Sequence, residues 1–211
     1  MDKDFSTFET RVGFTFEKKD LLRQAFTHRS YINENRSGSV HNERLEFLGD
    51  AVLELAVTNF LFSKFPDKAE GELTAFRAAL VNTISISQAA TDLGMNEFLL
   101  LSKGEAKDTG RARQYILANT FEAFIGALYL DQGYAAAEKF IAKQLFHKTD
   151  EVVAKRLWQD AKSRFQEIAQ EKEGKTPSYE LVAQAGPDHD KKFITGAYIG
   201  ETLIAKGEGK S

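Results

Sequence analysis

YILANTFEAFIGALYLD, residues 115 to 131, sets the fold class and poses a chemical problem. Nearly every side chain from Tyr115 to Leu130 is apolar, small or aromatic. A run of this length predicts a helix buried on most of its faces. Glu122 stands in the middle of it. A carboxylate so placed must be protonated, paired or bound to a cation. Asn119 lies three residues earlier on the same face, and no Lys or Arg occurs in the run. The partner of Glu122 therefore has to come from another element.

Working outward, helical periodicity recurs over Lys19 to Thr27, Glu43 to Phe62, Glu70 to Asn82, Ile84 to Leu93, Ile116 to Leu130 and Ala135 to Leu145. The breaks NENRSGSVHN, FPDKAEG, KGEAKDTG and DQG carry the Gly, Pro, Asn and Asp of turns. No convincing strand alternation occurs before Lys148, so residues 1–148 read as an all-α domain. Residues 149–158 read as a short charged linker. From 159 to 211 a helix over Ala161 to Glu173 precedes TPSYELVAQAG, KKFITGAYIG and ETLIAKGEG, three short strands joined by Gly and Pro turns. The second domain is thus a small α+β unit of order α-β-β-β.

The 211 residues, 42% hydrophobic, suffice for one good core plus a small second one. The absence of Cys excludes disulfides, thiolate metal sites and a Cys nucleophile. No signal-like start and no apolar stretch of about 18 residues is present, so a cytoplasmic protein without a membrane span is expected. With a net charge of -3, any nucleic-acid binding must rely on local patches rather than on a basic composition.

The element facing Glu122 is sought in HNERLEFLGDAVLELAV, residues 41 to 57. On a helix, Glu43, Glu46 and Asp50 fall within a sector about 60° wide. Leu45, Leu48, Val52 and Leu55 are expected on the opposite side, with Phe47 and Leu53 flanking the acids. Like charges on adjacent turns repel. A crossing of the two helices, with Gly126 permitting close approach, brings Glu46, Asp50, Asn119 and Glu122 together as oxygen donors for a hard cation such as Mg²⁺. The alternative is ordinary surface acids paired with lysines. A di-iron site would need Glu-x-x-His pairs, and the four histidines are wrongly placed for it.

NERLEFLGDAVLEL (42 to 55) closely resembles the signature of bacterial ribonuclease III. The likeness continues in FTHRSYINE (26 to 34), EGELTAFRAALVNT (70 to 83), LSKGE (101 to 105) and ILANTFEAFIGALYLDQGY (116 to 134). The stretch DAKSRFQEIAQEKEGKTPSYELVAQAGPDHDKKF (160 to 193) is similar to the start of a double-stranded RNA-binding domain. This resemblance implies a metal-dependent endonuclease that cuts double-stranded RNA, leaves 5′-phosphate ends and processes precursors of ribosomal and messenger RNA. It implies Asp50 and Glu122 as catalytic residues and Glu46, Asp50, Asn119 and Glu122 as ligands of Mg²⁺, for which Mn²⁺ can substitute. Glu43 matches an acid at the edge of the site. It also implies a homodimer. Phe47 is a candidate for that interface, against the alternative of an ordinary core phenylalanine. Gln166, Glu167, Pro187, Asp188 and His189 are the implied RNA contacts, while His28 and Arg29 read as structural and Lys103 as a phosphate contact or a solvated lysine.

Two departures qualify the resemblance. Where the family has Asp this chain has Asn119, which keeps an oxygen ligand but loses a full charge. An engineered block of turnover, a tolerated natural change that weakens activity, and a duplex-RNA binder that no longer cleaves all remain open. The chain also stops at GEGKS, where the RNA-binding fold would continue into a terminal helix. That domain is therefore expected to be incomplete at its C-terminus.

Overall fold

In the computed structural model, residues 3–35, 40–155, 158, 161–187 and 191–210 are described. The chain divides into two compact units, Met1–Trp158 and Gln159–Ser211.

The first unit is helical: α1 (Ser6–Val12), α2 (Lys19–Ala25), α3 (Arg29–Glu34), α4 (Glu43–Lys64), α5 (Glu70–Val81), α6 (Thr83–Asp92), α7 (Arg111–Gln132), α8 (Tyr134–Leu145) and α9 (Thr149–Ala154). At its centre is α7, where Leu117, Phe121, Phe124, Ile125 and Leu128 are all buried. Phenylalanines fill the space around it, with Phe8, Phe16 and Phe140 each within 5.5 Å of Phe124, ring centre to ring centre, in tilted or edge-on contacts. The two long helices α4 and α7 cross at glycines. A Cβ on Gly49 would lie 1.8 Å from the Glu122 carbonyl oxygen, and one on Gly126 would lie 2.2 Å from that of Leu45. Backbone therefore touches backbone, which no other residue type permits.

Local chemistry sets the ends of these elements. Phe26 and Thr27, expected within α2, instead leave it: Thr27 lies opposite Leu100, which donates its N–H to the Phe26 carbonyl while His28 donates to that of Leu100. Asn42 is buried before α4, and its side chain donates to the Ala25 carbonyl at 3.1 Å. This fixes where the acidic helix begins. It ends at Lys64, where Phe65 precedes Pro66 and the residue before a proline leaves the helical region. Asn82 caps α6 by accepting the Ser85 N–H at 2.9 Å.

Two expectations need correction. The stretch 149–158 is not a free charged linker: it carries α9, with Thr149 and Val152 buried. Trp158 stands edge-on to Phe76 at 5.1 Å. Thr149, Val152 and Val153 form one apolar helical stripe that the surrounding charges hid. The buried face of α4 is also rotated from the expected one. Leu53 is fully buried and Leu55 is 57% exposed. The axis shifts because Gly49, at the tight crossing, and the fully buried Ala56 are small residues that weigh little in a hydrophobic pattern.

The second unit comprises α10 (Ala161–Glu173) and an antiparallel sheet of β1 (Ser178–Ala185), β2 (Lys192–Ile199) and β3 (Thr202–Lys210), in the order β1-β2-β3. Irregularities at Leu181/Ala183 and Ala197/Tyr198 shift the register, which bends the sheet. Lys162 of α10 lies 5.1 Å from the centre of the Tyr179 ring on β1, a cation–π contact between helix and sheet.

Candidate active site

The α4–α7 crossing faces the acids of one helix toward the polar residues of the other. Asn119 hydrogen-bonds the Glu46 carboxylate across the gap. The Glu46 carboxyl is nonetheless raised above its ordinary value, by burial first and then by the charges of Glu43 and Asp50. Glu122 is pushed up to about 8, by burial first and then by Asp50, Glu46 and Glu54. Both results follow from removing carboxylates from water beside like charges.

Each expected residue can now be placed. Glu46, Asp50, Asn119 and Glu122 share one neighbourhood at the crossing. Glu43 is exposed at its edge, 3.4 Å from Arg29 Nη1 and 3.8 Å from His41 Nδ1. Pairing with surface cations thus describes Glu43, whereas among the described residues Glu122 has no ion pair. His28 caps α3, its Nδ1 accepting the Ser30 N–H at 3.3 Å. Lys103 is exposed, and its backbone N–H donates to Glu34. Phe47 is 81% exposed, which removes the core alternative. It forms part of the wall of a recess whose apolar lining includes Leu21, Val40, Leu48 and Leu130 and whose polar lining includes His41, Glu43 and Arg44.

The donors at the crossing are oxygens, the type that hard cations prefer. Burial and mutual repulsion hold Glu46 and Glu122 toward the protonated form, and a positive charge would reverse both effects. By the chemistry of its donors the site fits a divalent cation. Among the described residues, no three His, Cys, Asp or Glu side chains are gathered closely enough to enclose one. Uncompensated carboxylates repel one another, and the fourth group is an amide.

In the second unit Gln166 and Glu167 are exposed on α10, and Pro187 is exposed after β1. Asp188 and His189 lie outside the described residues. Two contributors escaped the reading of the sequence. Gly49 lies one helical turn after Glu46 and marks the crossing. Glu54 acts on Glu122 and binds Arg77, and its position one turn after Asp50 was the available signal.

The chain is thus a helical unit with an acidic helix crossing, followed by a second unit of one helix and a three-stranded antiparallel sheet. The Ribonuclease-III-like family model matches residues 18–149, and the double-stranded RNA binding motif matches 161–211. Ribonuclease 3 of Enterococcus faecalis is 46% identical over 213 residues, covering 100% of this chain and 92% of that protein. Ribonuclease 3 of Bdellovibrio bacteriovorus is 42% identical over 212 residues, covering 100% and 91%. The solved nuclease domain of ribonuclease III from Campylobacter jejuni superimposes with a TM-score of 0.61 at 40% identity, covering 67% of this chain and 98% of that one. That structure is described as flexible in a region involved in dimer formation. The chain belongs to the ribonuclease III family. Membership together with the second motif supports an endonuclease of double-stranded RNA. Among the described residues, no helix is long and apolar enough to cross a membrane.

Proposed function

We propose that this protein is a divalent-metal-dependent endonuclease that hydrolyses phosphodiesters of double-stranded RNA, weakened by Asn119. Its products carry 5′-phosphate ends, and its substrates are structured precursors of ribosomal and messenger RNA in the cytoplasm. The observation carrying this reading is the close α4–α7 crossing at Gly49 and Gly126, where Asp50 and Glu46 of one helix act on the buried Glu122 carboxyl of the other and raise it. Nothing in the packing of a helix core calls for such an arrangement, whereas a cation-binding centre does.

Glu46, Asp50, Asn119 and Glu122 would hold Mg²⁺ or, in its place, Mn²⁺. When bound, the ion supplies a lowered pKa for its water and positive charge for the phosphate and leaving oxygen. Asp50 and Glu122, on opposite helices, orient the attacking group and fix the donor geometry. Gly49 and Gly126 set their spacing by letting the helices touch. Glu43, paired with Arg29, closes the edge.

Two copies would place two such centres on one duplex. Phe47, on the wall of the recess whose apolar lining includes Leu21, Val40, Leu48 and Leu130, supports a two-fold contact in which each copy offers both knob and hollow. In the second unit, Gln166, Glu167, Pro187, Asp188 and His189 would read the shallow minor groove of A-form RNA by shape and 2′-hydroxyl contact.

Asn119 specifically favours a second reading, a protein that binds duplex RNA without cutting it. Comparing this chain with Asn119→Asp on a long RNA duplex across a Mg²⁺ titration separates the two. Faster cutting at lower Mg²⁺ by the Asp form supports an impaired nuclease. If neither form cuts while both bind the duplex, the binding reading replaces it.

A further inference from the structure

Beyond the four residues assigned to the cation, a further carboxylate lies on the acidic face of α4. Glu54 follows Asp50 by one helical turn on α4, and its charge acts on Glu122. It is not loose. Its Oε2 lies 2.7 Å from Arg77 Nε on α5, and Nη1 of the same guanidinium donates to Thr58 Oγ1 at 3.0 Å. Arg77 thus grips α4 at two positions one turn apart. The rigid guanidinium fork is suited to fixing a carboxylate's direction, which a flexible lysine does less well.

A glutamate beside a charged centre would ordinarily swing onto a cation bound there. The swing would be favoured here, because Asn119 leaves the donor set one charge short. Each extra carboxylate ligand also displaces a water, and Mg²⁺ sites that handle phosphates keep several. Resting on the nuclease reading above, we propose that Arg77 is a positioning residue that pins Glu54 off the cation. Glu54 then lends its charge to the centre while the coordination positions stay open for water and phosphate.

The test uses the full chain and two readouts: Mn²⁺ binding by calorimetry without RNA, and the cleavage rate of a plain RNA duplex at saturating Mg²⁺. Arg77→Ala should bind Mn²⁺ more tightly and cleave more slowly, each by about three- to tenfold, the range of a coupled neighbouring pair. Arg77→Lys should fall between Arg77→Ala and the unsubstituted chain. Glu54→Gln alone should weaken Mn²⁺ binding, and in that background Arg77→Ala should change neither readout. The proposal is overturned if Arg77→Ala acts equally in both backgrounds or loosens Mn²⁺. It is overturned equally if Glu54→Gln leaves Mn²⁺ affinity untouched, a result available even if Arg77→Ala fails to fold. Asp50→Asn tests the underlying reading separately. If it retains both Mn²⁺ binding and cleavage, the assignment of the centre is wrong whatever Arg77 does.

Discussion

Asn119 on α7 donates a side-chain hydrogen bond to the Glu46 carboxylate on α4. An amide can favour the charged form of a neighbouring carboxylate in this way, whereas a second carboxylate cannot. Asn119→Asp would replace an attraction with a repulsion at a half-buried place. In chelator, the Asp form should be less stable by about 1.5–3 kcal/mol, the range of a hydrogen bond to a charged group. Added Mg²⁺ should narrow the gap. Urea melts with and without metal check this, and equal stability of the two forms in chelator would sink it.

Glu122 ties stability to pH. Its carboxyl rises from 4.5 to about 8 on folding, so between those values the folded chain holds more protons than the unfolded one. Stability therefore falls as pH rises through that window. Glu46, also raised, contributes with the same sign. The metal-free protein should melt at a lower temperature at pH 8 than at pH 5.5. Mg²⁺ should flatten the slope, and Glu122→Gln should remove most of it. A slope unchanged by Glu122→Gln would assign the effect to other groups.

The close crossing makes a steric prediction. At Gly49 the added methyl of an alanine would meet backbone, which cannot rotate away. Gly49→Ala should destabilise the first unit by about 3 kcal/mol or more, the upper range for overpacking. Cleavage should be lost even where the chain remains folded, because Glu46 and Asp50 move away from Glu122. Normal denaturation together with normal cleavage would contradict the geometry.

Phe47 makes an oligomeric prediction. An 81% exposed phenylalanine on the wall of a largely apolar recess with a polar edge is suited to a central contact, and truncating such an anchor costs about 2 kcal/mol or more. Phe47→Asp should shift sedimentation from dimer toward monomer while leaving the thermal melt of the fold intact. An unchanged sedimentation coefficient would place the contact elsewhere.

The helices were legible from periodicity because burying a long helix requires an apolar pattern along it, and Tyr115 to Leu130 has one. The strands of the second unit were legible as short runs set between Gly and Pro turns, which a chain reversing direction requires. The carboxylate sector of α4 and the isolation of Glu122 could also be read, since helical angles follow directly from spacing. Other features depended on partners distant in sequence. Gly49 looks like a weak helix residue until α7 lies against it. Leu53 and Leu55 exchange roles because the burial axis passes through small residues. α9 is built from a stripe too short to stand out against its charges. Glu54 acts on Glu122 only because α4 and α7 lie together, and its partner Arg77 comes from another helix. Local spacing thus specified which side chains share a face. Their protonation, pairing and reach depend on burial and on charges brought near by tertiary packing, quantities that no single stretch of the chain contains.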